Sequence, residues 1–169
     1  MPPFWSPRAA TPAPSQRADR FVRALELPLP DAEWAWLVAL GVPADIARRE
    51  VRWAVRAAGL IVASRDALND QTMAEVTHAL DRVTVADAGW ANRWSQYLEA
   101  HGRRGTGDSV ARRLARVMLA AAGAADAPDA VESVAAFLTR QRVRLNGELG
   151  QAFGVAQLPE DRPPSAARG

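Results

Sequence analysis

The sequence predicts an all-α fold, a compact bundle of six or seven helices with disordered or extended Pro-rich ends. Three observations carry that expectation: no alternating strand pattern of useful length occurs, β-branched runs are few, and apolar residues recur again and again at helical spacing. A chain of 169 residues buries one core and is too short for two comfortable domains. The expected body is a single domain over 17–154. It is flanked by tails at 1–16 and 155–169, the first holding Pro2, Pro3, Pro7, Pro12 and Pro14, which favour extended, solvated backbone.

A first helix is expected over Arg17 to Leu27, ending at the LPLP break where Pro28 and Pro30 remove backbone donors. Asp31 is placed to cap a second helix carrying Trp34, Leu37 and Leu40, which Gly41 ends. Pro43 suits the first turn of a long third helix reaching about Leu68, with Ala47, Val51, Ala54, Ala58, Ile61 and Val62 on its apolar face. Asn69 or Asp70 caps the fourth, where Met73, Val76, Leu80 and Val83 follow the spacing 3, 4, 3.

Asp87 to His101 places Trp90, Trp94, Tyr97 and Leu98 on one face, and Gly102 is positioned as a stop. A sixth helix runs from Asp108 or Ser109 to about Ala122 with Val110, Leu114, Val117 and Met118 inward. After the GAADAP interruption, Asp129 with Glu132 resembles a capping box, and the last helix buries Val131, Val134, Leu138, Leu145 and Leu149. No internal repeat is visible.

Composition limits the chemistry. There is no cysteine and no lysine, and there are only two histidines and one tyrosine. Disulfides, thiolate nucleophiles, sulfur-ligated zinc and Schiff bases are therefore excluded, and a Ser-His-Asp triad has little material. All 21 cations are Arg against 19 acids, so the net charge is only +2; an Arg-only, Ala-rich composition is what a GC-rich genome produces. No apolar run approaches the roughly 18 residues of a membrane span, and the N-terminus lacks the apolar core of a secretory signal. A cytoplasmic protein without membrane contact is expected.

The stretch GRRGTGDS, Gly102 to Ser109, departs by one residue from the phosphate-loop pattern G-x-x-x-x-G-K-[ST]. The departure puts Asp108 where the ammonium must stand, and the preceding WSQYLEAH reads as helix, not as the required strand. A helix-connecting loop is the expectation. Glu75-x-x-His78 has di-iron spacing but lacks its second copy, and Asp66 with Asp70 reads as capping, not as an acid-base pair. No catalytic residue, metal or cofactor is expected.

What remains is a surface of arginines. Arg48, Arg49, Arg52 and Arg56 fall within roughly 100° of the third helix, and Arg112, Arg113 and Arg116 within a similar arc of the sixth. Arg48, Arg52 and Arg56 repeat every four residues, so each like-charged pair costs about 0.2–0.5 kcal/mol unless an acid lies alongside. Residues 101–120 hold five Arg and one acid, whereas residues 61–100 hold three Arg and six acids, so an internal partner competes with an external one.

LVALGVPADIARREV looks like the turn of a helix-turn-helix, over about twenty residues, but its second helix is far longer than a recognition helix. Trp34 and Trp36 lie about 200° apart on their helix and cannot both face one side, so one is free to serve as an apolar anchor.

The expectation from sequence is a non-catalytic binding or assembly subunit, homo- or hetero-oligomeric. Its Arg48, Arg52, Arg56, Arg112, Arg113 and Arg116 meet an acidic protein surface, and Trp34 or Trp36 anchors the contact. Two alternatives stand beside it: a helix-turn-helix-like protein binding nucleic acid through the same cations, and a small-ligand domain with a Trp-lined pocket.

Overall fold

The computed structural model describes residues 12–65, 70–105 and 107–154, which form seven helices and no strand. They are α1 (Pro14–Leu25), α2 (Ala32–Ala39), α3 (Ala44–Arg65), α4 (Asp70–Thr84), α5 (Trp90–Gly102), α6 (Val110–Ala122) and α7 (Pro128–Phe153). None of them is long and apolar enough to cross a membrane. The expected tails at 1–11 and 155–169, and the residues Asp66, Asn69 and Thr106, lie outside the described residues.

The long third helix organises the others. α3 packs against all six of them, and from Trp53 to Ala63 every residue is buried. A helix buried on all sides needs small residues where neighbours come close, and Ala54, Ala57, Ala58 and Gly59 supply them. At Gly59 the approach is closest: an added Cβ would lie 2.5 Å and 2.9 Å from the two methyl carbons of Leu25 on α1. α1 in turn lies between α4 and α7, burying Ala18, Phe21, Val22 and Leu25, and α6 pairs with α7.

Boundaries shift where proline or threonine chemistry competes with apolar spacing. α1 starts at Pro14 instead of Arg17, because proline's fixed φ and missing N–H suit the first helical position. The same effect starts α7 at Pro128. The capping box expected from Asp129 and Glu132 does not form, since Asp129 then falls inside the first turn, and Glu132 pairs with Arg112 at 2.6 Å. Asp31 makes no side-chain cap for α2; its carbonyl oxygen accepts the N–H groups of Trp34 and Ala35. Ser109 does cap α6, accepting the Arg112 N–H at 3.3 Å.

On α4 the buried arc runs through Thr72, Val76, Ala79, Leu80 and Thr84, one position round from the expected Met73–Val83 seam. Val83 is left half exposed, and the Thr84 hydroxyl enters the core by donating to the Leu80 carbonyl at 3.1 Å. Leu40, Leu98 and Val110 are also more exposed than their spacing suggests, whereas the expected apolar faces of α3 and α7 are buried. The two ends of the body meet: Arg17 at the start of α1 donates to the Phe153 carbonyl at the end of α7, at 3.4 Å.

Candidate partner-binding face

The arginines of α3 diverge along the helix. Its first half leans on α2 alone on one side, and there Arg48 and Arg52 are exposed. The Arg48 guanidinium lies over the Trp34 ring, 4.7 Å from its centroid. Among the described residues neither Arg48 nor Arg52 has a carboxylate within ion-pair distance.

Two turns on from Arg48, Arg56 is only 2% exposed. Its Nε and Nη2 donate to the two carboxylate oxygens of Glu26, at 2.6 and 2.7 Å, while Nη1 donates to Asp87. The end of α1 and the turn between α4 and α5 thus close over it, and Arg56 does not share the exposed stripe. Burial works against the charged guanidinium, but the hydrogen bonds to Glu26 and Asp87 outweigh it and hold the pKa above its ordinary value. The Arg56 bond holds Asp87 below the usual aspartate range, against some burial and with help from Arg52.

The α6 arginines are likewise engaged internally. Arg112 pairs with Glu132 at 2.6 Å, and Arg116 with Asp108 at 3.3 Å and with Asp126. Arg113 donates to the carbonyls of Ala100, His101 and Asp108, satisfying the last turn of α5 and pinning the following loop. That loop follows a helix, as expected, and its Asp108 side chain faces Arg116 instead of a ligand.

The two tryptophans of α2 point to different sides. Trp36 donates its Nε1 hydrogen to the Glu33 carbonyl at 2.8 Å and tilts against Phe137 of α7, ring centroids 6.4 Å apart. It therefore packs inward, and Trp34 is the one that meets the arginine stripe. Apolar residues extend this side of the molecule. Leu27, next to Glu26, is 59% exposed, and Val85, two residues before Asp87, is 88% exposed. Because Glu26 and Asp87 share one guanidinium a turn from Arg52, Leu27 and Val85 flank the stripe's far end.

A second polar cluster escaped sequence reasoning. Glu50 is fully buried, 3.1 Å from Arg49 and 3.0 Å from Arg93, and both of those guanidiniums lie over the Trp53 ring. Trp53, Trp90 and Trp94 form a chain with 6.4 Å between successive centroids. Beside it, the Tyr97 hydroxyl is buried with no hydrogen-bond partner among the described residues; burial, then the Glu50 charge, push its pKa well up. The one available signal was an acid inside the apolar arc of α3, between Ala47 and Ala54.

Among the described residues no three His, Asp or Glu come together as a metal site. His78 is exposed on α4. Two concavities are present: an open groove of about 550 Å³ between α5 and α6, and a smaller cavity of about 210 Å³ between α3, α6 and α7. Neither has a tryptophan in its wall. Compared with known proteins, the chain matches no family model, no curated protein and no solved structure.

Proposed function

We propose that the chain is a non-catalytic binding or assembly subunit whose contact face is the first half of α3 with Trp34, and whose partner presents an acidic protein surface. The observation that carries this reading is the contrast among six arginines. Arg56, Arg112, Arg113 and Arg116 are engaged inside the molecule, whereas Arg48 and Arg52 stand one turn apart without an acid. A like-charged pair one turn apart is mildly unfavourable alone and is relieved by a carboxylate partner.

Exposed ion pairs contribute only about 0–1 kcal/mol each, so the cations set orientation and choice of partner more than affinity. The apolar side chains Trp34, Leu27 and Val85 supply area that a partner would remove from water. Affinity capture with the wild type and with an R48E/R52E bait tests the reading: an acidic protein should be retained by the first and lost by the second. Identical retention by both baits would sink it.

A second reading has one specific observation in its favour. α2, the positive-φ Gly41 and the start of α3 form two helices joined by a tight corner, with exposed Arg48 and Arg52 on the second helix. That arrangement would suit a nucleic-acid backbone. The same capture separates the two readings, because nucleic acid retained by the wild type would leave as salt rises.

A further inference from the structure

The smaller cavity has the makings of a ligand site separate from the proposed contact face. It lies where α3, α6 and α7 meet, and its floor is Ala58, Ile61, Leu114 and Leu138. These four core residues each keep between 4% and 7% of their surface open, while their neighbours Ala57 and Ala115 keep 1% or less. The residual exposure of the floor is thus apolar surface facing the cavity. Val110 and Ala111 continue that wall from α6.

The mouth has the opposite character. Arg65, Arg142 and His101 stand around it with the Thr139 hydroxyl, and no acid is among the lining residues. Arg142 is exposed, and no carboxylate or carbonyl among the described residues takes its guanidinium. Thr139 already donates to the Ala135 carbonyl at 2.8 Å, so towards the cavity it can only accept. An apolar floor beneath a positive rim selects a molecule with a greasy body and one negative end.

We propose that this cavity binds a small apolar carboxylate, its hydrocarbon body on the Ile61–Leu114–Leu138 floor and its carboxylate at Arg142 beside His101. The planar guanidinium matches a carboxylate with two parallel hydrogen bonds. Burial, then the charges of Arg113 and Arg65, hold the His101 imidazole below its ordinary pKa, so near neutral pH it offers a neutral N–H to the same anion. The size is set by the volume: 210 Å³ exceeds the roughly 150 Å³ cavity that takes benzene. The body is therefore about that of a hexanoate or a phenylacetate.

The full-length chain, isotope-labelled, is titrated with butanoate, hexanoate and hexanamide while amide shifts are followed. Hexanoate should perturb residues around Ile61, Leu114 and Leu138, and bind about tenfold or more tighter than butanoate, at about fourfold per methylene. Hexanamide, with the same body and no charge, should bind about fivefold weaker or worse. Arg142→Ala should bring hexanoate down to the level of the amide, and Ala111→Phe should fill the cavity and abolish the shifts. R48E/R52E should leave this binding unchanged, which separates the site from the contact face. Absence of localised shifts at about 10 mM ligand, or an amide that binds as tightly as the acid, would overturn the proposal without recourse to any variant.

Discussion

Arg48 and Arg56 lie two turns apart on α3, and their surroundings make the same side chain do different work. At Arg48 water and an indole face carry the charge; at Arg56 two carboxylates from distant segments do. Removing a buried charge from such a group leaves its partners facing each other, and here Glu26 and Asp87 are 26% and 31% exposed, so water softens the loss. Arg56→Met should therefore cost about 2–4 kcal/mol of stability, near the low end for a broken buried pair; a denaturant titration showing less than about 1 kcal/mol would reduce the fork to an ordinary surface pair. The pH dependence has a definite sign. Asp87 has a lower pKa folded than unfolded, so the unfolded chain binds more protons in between. Its contribution is complete above the ordinary aspartate range and is lost as pH falls through the folded value, below about pH 4. Asp87→Asn should flatten that acid limb.

For single elements, legibility in the sequence followed the chemistry of the residues involved. The apolar faces of α3 and α7 were readable because Val, Leu, Ile and Ala have no alternative to burial, and both faces are buried as their spacing indicates. α4 was misread by one position, since Thr84 can enter a core by returning its hydroxyl to the preceding turn, and a hydrophobicity pattern does not register that. Helix starts were misread at Pro14 and Pro128, where proline at the first position outcompeted a polar cap. The close approach of α1 to α3 gives an element-level prediction. Alanine at Gly59 would gain up to about 1 kcal/mol of helix propensity, but its methyl would meet the whole Leu25 side chain in a site with no room to turn. Overpacking costs about 1–3 kcal/mol, so G59A should be destabilising by about 1 kcal/mol, measured by thermal or chemical unfolding; a more stable G59A would mean that the two helices are not in that contact.

For the molecule as a whole, the arginine arcs were legible and their partners were not. Periodicity places Arg48, Arg52 and Arg56 on one side, yet only the tertiary fold brings Glu26 and Asp87 to the last of them and Glu132 to Arg112. Buried Glu50 and its two arginines were hidden for the same reason, because ion pairing between separate helices leaves no trace in local spacing. The division has a measurable counterpart. R48E/R52E reverses two exposed charges without touching the core and should shift stability by no more than about 0.5 kcal/mol, so a loss of partner capture in that variant reports the surface and not unfolding. A larger loss of stability would assign both side chains to the fold.

The contact between Arg17 and the Phe153 carbonyl has a practical corollary. Entry and exit of the folded body share one pole, so a tag or a fused domain at either terminus starts from the same neighbourhood. Joining those two points with a short linker would let the polypeptide be opened at another surface loop, such as the one at 103–109.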